Sequence, residues 1–214
     1  MSPPCYVAGG ISFAMKETIY TIGYSGFSRD DFADVIASFG VNAVIDVRSK
    51  PYSEHNPEYN APAMNEFLGA RGIIYRNYAR EFGARQENRE FYSAEGYMDF
   101  EKFAQSSQFQ EGVKRILHAV KLGYRFALMC AEKDPITCHR AILVARAFHE
   151  NGLNVIHIMP SGNITHEELE RRLITKYCPE SSQGDLFGGF KTEREILNDA
   201  YRKCNAEIGW RIDG

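Results

Sequence analysis

Two short segments that are apolar almost throughout, residues 41–47 and 124–129, constrain this chain more than anything else in it. A strand that shows no polar face is covered on both sides, and that happens in parallel sheets whose crossover helices lie over both faces. Helical stripes sit between such segments. Phe32, Val35, Ile36 and Phe39 recur at helical spacing and end at Gly40. Phe109, Val113, Ile116, Leu117 and Val120 do the same before Gly123. Alternation of this kind predicts an α/β fold with a mostly parallel central sheet flanked by helices. With 214 residues and 44% hydrophobic content, the chain is long enough to close one substantial core.

Local signals divide the chain further. Residues 18–22 form a β-branched strand that stops at Gly23-Tyr24-Ser25-Gly26, and Ser28 is placed to cap the helix that follows, with Asp30 and Asp31 in its first turn. A helix carrying Met64, Phe67 and Leu68 leads to a strand at 73–75. Residues 76–96 form a charged, aromatic excursion too long for a simple connection, so a functional loop is expected there. From 124 to 159 the pattern is strand, helix, strand, a βαβ unit. Thr165 with Glu168, and Thr192 with Glu195, read as capping boxes. The expected layout is an extension at 1–15, an α/β domain at 16–177, a Ser/Gly-rich linker at 178–191, and a C-terminal helix and tail at 192–214.

A net charge of -3 and a pI near 6.1 provide no global basic field for nucleic acid, although local basic surfaces stay open. No apolar run is long enough to cross a bilayer, and residues 1–13 have neither the charge nor the apolar stretch of a secretory signal. A cytoplasmic location follows as the expectation. The five cysteines, odd in number and irregularly spaced, then read as reduced thiols and not as a disulfide framework.

Chemistry concentrates between Cys130 and Arg140, Cys-Ala-Glu-Lys-Asp-Pro-Ile-Thr-Cys-His-Arg. Cys130 ends a central strand, where open parallel sheets bind their ligands, and faces a helix start near Arg140. The helix N-terminus favours an anion, and Lys133, His139 and Arg140 add to that field, so a thiolate is favoured over a thiol. Three chemistries stay open. Cys130 attacks an electrophile with His139 or Lys133 as acid–base partner and Arg140 on an anionic group. Alternatively Cys130 and Cys138 exchange disulfide or persulfide, or Cys130, Cys138 and His139 bind a metal. No cofactor is specified. Asp46 and Arg48, at the end of another central strand, and Tyr24 and Ser25, at the end of the first, are expected to line the same cleft, with Arg85 from the long excursion. Cys5, Cys178 and Cys204 lack such company and read as structural or incidental, as do His118, His149 and His157 within regular elements.

Three resemblances rest on these residues. Thr21-Ile22-Gly23-Tyr24-Ser25, Ile45-Asp46-Val47-Arg48-Ser49 and the 129–140 block resemble the bacterial domain-of-unknown-function family 488, over roughly residues 18–175; that likeness implies no particular activity. The order of a strand ending Ile-Asp-Val-Arg, a later strand ending in Cys, a loop and a helix is similar to a rhodanese-like domain. It implies a persulfide-carrying cysteine at Cys130. Finally, Gln183-Gly184-Asp185-Leu186-Phe187 resembles the pentapeptide that docks bacterial polymerases and repair proteins on the sliding clamp, with Gly184 departing from the usual Leu. It implies a clamp partner through Gln183, Asp185, Leu186 and Phe187, and with it a DNA-maintenance accessory role.

Overall fold

The first strand, β1 (Thr18–Gly23), alternates its side chains between two apolar layers. Ile22 joins one layer and Ile19 the other, so the sheet begun here is buried on both faces. The computed structural model describes residues 17–179 and 191–212. In it, β2 (Ala43–Asp46), β3 (Ile74–Asn77), β4 (Phe126–Cys130), β5 (Asn154–Ile158) and β6 (Ile164–Thr165) complete a six-stranded sheet of order β3-β2-β4-β1-β5-β6. Every pairing is parallel except that of β6 with β5. The α/β architecture expected from the alternating pattern is the one observed.

Helices α1 (Arg29–Ser38) and α2 (Ala61–Gly69) cover one face of the sheet. Phe32, Ile36, Met64 and Leu68 pack there against Ile22, Val44 and Met129. Fully burying each such side chain contributes roughly 1.5–3 kcal/mol. The short α3 (Ala79–Phe82) and α4 (Phe100–Ala104) lead to α5 (Ser107–Lys121), whose Phe109, Val113 and Ile116 pack on the other face. After β4 the chain enters a π-helical segment (Arg140–Ala145) that continues as α6 (Arg146–Glu150) on that same second face. The βαβ unit read at 124–159 is therefore present, but its two strands straddle β1 and are not neighbours. Nothing in the local sequence specifies that a third strand lies between them.

Helices α7 (His166–Tyr177) and α8 (Glu193–Ile208) both open with the capping boxes expected at Thr165 and Thr192, and Ser28 caps α1 as expected. α8 is part of the core: Ala200, Tyr201 and Cys204 are fully or nearly fully buried, and Asn205 bonds to Phe100 N at 2.9 Å and Met98 O at 2.8 Å. The sequence reading treated this helix as an appended tail. Its buried stripe docks it on α7 and on the Met98–Phe100 segment instead. The extension at 1–15 with Cys5, and the pentapeptide at 183–187, lie outside the described residues. Among those that are described, no helix is long and apolar enough to cross a membrane.

Candidate functional site

The connection from β1 leaves over one face of the sheet and the connection from β4 over the other, and the carboxyl end of such a switch point is where open α/β sheets bind ligands. A cleft of about 370 Å³ lies at this end. Its floor includes Cys130 and His139, and its walls include Tyr24, Arg48, Lys50 and Arg85.

The loop from Cys130 to Cys138 is fixed by backbone contacts before any side-chain chemistry arises. Tyr24 N donates to Cys130 O, and Ser25 N to Ala131 O, both at 3.0 Å, which extends the β1–β4 ladder beyond the strand. Gly23 has no side chain because none would fit: a Cβ there would stand 1.8 Å from Glu132 O. Asp134 caps a 3₁₀ turn (Pro135–Thr137) by accepting from Ile136 N at 3.1 Å, and Pro135 fits the first position of that turn. The turn returns the chain so that Cys138 lies beside Cys130.

Arg140 secures this path from beneath. It is fully buried, and its guanidinium donates to Glu132 O at 2.6 Å and to Lys133 O at 3.3 Å. No carboxylate pairs with it among the described residues, and its Nε has no hydrogen-bond partner. The sequence reading assigned Arg140 to a substrate anion; the structure turns it to the loop's own carbonyls, away from the cleft. Lys133 likewise falls outside the cleft, its side chain lying near Gly26. Ser25 is exposed and contributes its backbone to the loop, and it too does not line the cleft.

Three of the expected residues converge. The Cys130 and Cys138 sulfurs and a His139 ring nitrogen all lie within 4.8 Å of one another. Cys130 Sγ is 3.9 Å from His139 Nδ1, while His139 Nε2 is 2.9 Å from Val47 O. A carbonyl only accepts, so Nε2 carries the hydrogen and the ring is fixed with Nδ1 toward the thiols. Arg140 N donates to Cys138 Sγ at 3.4 Å, as a backbone amide does to an N-cap side chain.

The two thiols diverge electrostatically. The hydrogen bond with Cys138 and then burial push Cys130 well up, so it keeps its proton. Burial opposes ionisation of Cys138 as well, but the hydrogen bond from Cys130 and the charges of Arg140 and His139 outweigh it and hold this thiol well below its usual range. Burial would lower His139, yet its bond and charge interaction with Cys138 raise it. Glu132 Oε2 lies 2.9 Å from Cys138 Sγ. Desolvation of its carboxyl and the neighbouring Cys138 charge raise Glu132. The sequence reading placed the thiolate at Cys130; of the two thiols it is Cys138 whose ionisation the surroundings favour, because Arg140 and His139 lie beside that sulfur. Glu132 was missed as a site residue, although its position two after Cys130 in the same loop was a usable signal.

The other expected pair forms a clamp under the wall. Arg48 Nε and NH2 grip the Asp46 carboxylate at 2.9 and 2.6 Å, Tyr75 Oη donates to the same carboxylate at 2.5 Å, and Arg48 NH2 also reaches Tyr59 O at 2.7 Å. Asp46 is fully buried and does not reach the cleft. Arg48 does, lying 5.2 Å from the centre of the Tyr24 ring, which stacks on Tyr59 at 4.2 Å. Burial raises Tyr24 and pushes Tyr59 up to about 12, so both rings stay neutral. On the opposite wall Arg85 N donates to Ser49 Oγ at 2.8 Å, and its guanidinium lies 3.6 Å over the Trp210 ring. Trp210 arrives from beyond α8, over a hundred residues away in sequence, and no local signal marked it. Lys50 and Tyr52, just after Arg48, also line the cleft.

The fold and site define an α/β protein with a two-thiol and imidazole cluster at the carboxyl ends of its central strands. A family model described as "Domain of unknown function DUF488" matches residues 28–147, and the chain belongs to that family. Among curated proteins and among solved structures, nothing matches the chain. Of the resemblances read from sequence, it is the family 488 one that the comparison supports, not the rhodanese-like one.

Proposed function

We propose that the cleft is the active site of a thiol-dependent enzyme acting on an anionic substrate. The observation that carries this reading is the convergence of Cys130, Cys138 and His139 within 4.8 Å at the floor of a cleft whose walls hold Lys50 and Arg85. Two buried thiols and an imidazole are expensive to place together without a use, since each must be desolvated and oriented.

In this reading Cys130 is the nucleophile because it lines the cleft and Cys138 does not. As Cys130 Sγ bonds to the electrophilic atom, its proton passes to the Cys138 thiolate. The leaving group departs with the electron pair of the broken bond and takes a proton from His139. Lys50 and Arg85 receive the substrate's negative charge. Arg140 and Gly23 are positioning residues that hold the loop, and Glu132 moderates the charge on Cys138.

Timed alkylation with iodoacetamide, mapped by mass spectrometry, tests the reading. Cys130 in the metal-free native chain should be alkylated at neutral pH although its own thiol is protonated, because Cys138 accepts the proton. The rate should fall by about tenfold or more in Cys138→Ser and in His139→Gln, the lower end of what a positioned proton acceptor supplies. Labelling of Cys130 at the same rate in both variants would sink the proposal.

A further inference from the structure

We propose that Cys130, Cys138 and His139 form a binding site for a thiophilic divalent cation, with zinc as the natural probe, whose occupancy masks the Cys130 nucleophile. The inference rests on the same cluster as the enzymatic reading and adds a ligand that controls it.

Four features of the geometry carry it. First, a tetrahedral zinc ion with bonds of ~2.3 Å to sulfur sets its sulfurs ~3.8 Å apart. Donor atoms that already lie within 4.8 Å of one another need to close by about an ångström at most. Second, His139 has the outer contact a ligating imidazole needs. Its Nε2–H is held by Val47 O at 2.9 Å, which leaves the Nδ1 lone pair directed at the sulfurs.

Third, the donors come from two anchored places: Cys130 at the end of β4, and the adjacent Cys138 and His139 between the 3₁₀ turn and the helix. Both sulfurs are buried to within 2% of full exclusion, so the ligand set exists before any ion arrives. Fourth, Cys130 and His139 both border the cleft, so a further coordination position faces its open side.

Loading is an exchange of protons for metal with no change in oxidation state. The ion takes the lone pairs of two sulfurs and one nitrogen, and the protons held by Cys130, by the Cys138–Glu132 pair and by His139 leave to solvent. The sulfur pair that Cys130 would use on an electrophile is then committed to the ion.

Protein stripped with chelator under reducing conditions should take up one zinc per chain in competition with a chromogenic chelator. Cobalt loading should give the sulfur-to-metal charge-transfer absorption of thiolate ligation. Cys138→Ser and His139→Gln should each weaken zinc binding by at least the ten- to hundredfold that a lost outer partner costs, and Cys204→Ser should leave it unchanged. Circular dichroism of each variant establishes that the chain remains folded. Zinc should also protect Cys130 of the native chain from iodoacetamide, a readout that needs no variant. Absence of stoichiometric zinc uptake would overturn the inference, as would full-strength binding in both ligand variants. Variant-sensitive metal-free labelling without zinc protection removes this inference alone. Metal-free labelling indifferent to both variants, in a chain that takes up zinc, removes the enzymatic reading alone.

Discussion

His139 donates its Nε2–H to Val47 O at 2.9 Å, so a residue at the start of one helix is oriented by the exit of β2, immediately before Arg48. The strand ends are thus coupled through side chains as well as through the sheet. Several consequences can be measured.

Asp46 and Arg48 form a buried pair whose halves are unequal in their exposure to loss. Arg48→Met leaves a carboxylate at zero exposure with only Tyr75 as a side-chain donor, and urea unfolding should show a loss of about 3–5 kcal/mol. Asp46→Asn together with Arg48→Met should cost clearly less than the sum of the two single changes, because neither partner is then left charged and alone. Strict additivity would show that the clamp is not a coupled unit.

Arg140 bridges two loop carbonyls with one guanidinium, which a single ammonium cannot match. Arg140→Lys should recover less than half of the stability lost in Arg140→Met, itself about 2–4 kcal/mol, since two loop carbonyls lose a charged donor. Hydrogen exchange of the amides from Ile136 to Arg140 should accelerate in both variants, with the amides of β5 unaffected.

Gly23→Ala tests the close approach of β1 to the loop. Its methyl would meet Glu132 O and the carbonyl carbon, backbone atoms with no rotamer to change, so the loop must move. The expected cost is about 1–3 kcal/mol or more, accompanied by slower alkylation of Cys130. Gly69→Ala, with open space around its Cβ position, should be nearly neutral and serves as the reference.

A buried wire of hydrogen bonds fixes α7 and α8 to the sheet. Thr21 Oγ1 meets His157 Nδ1 at 2.8 Å, His157 Nε2 meets His166 Nδ1 at 3.0 Å, and His166 Nε2 meets Tyr201 Oη at 2.9 Å, which donates to Glu170 at 3.0 Å. Burial, then the neighbouring His166 and Arg140 charges, holds His157 well below its ordinary value; burial with the His149 and Arg146 charges brings His166 to about 3. In the unfolded chain both titrate near 6.5. The unfolded state therefore binds more protons below that pH, and stability falls as pH drops from about 6.5 toward 3, by at most about 1.4 kcal/mol per unit for each ring. Urea midpoints from pH 8 to 4.5 should show this decline, and His166→Phe should flatten it.

Much of this was legible in the order of residues. Runs such as 124–129 are apolar at both parities, and that periodicity alone requires a strand covered on two faces. Ser28, Thr165 and Thr192 announce their helices because capping is a contact within four residues. A two-thiol loop after a strand placed Cys130, Cys138 and His139 at one end of the sheet for the same local reason. The sequence by itself thus determined the elements, their class and the loop that carries the chemistry. Only the tertiary structure decided that β1 lies between β4 and β5, that Arg140 faces inward, that ionisation is favoured at Cys138 over Cys130, and that Trp210 crosses to Arg85. Those facts depend on contacts between distant segments. A side chain's partner, and with it its charge, is set by what the fold brings within a few ångströms, which neighbouring residues along the chain do not encode.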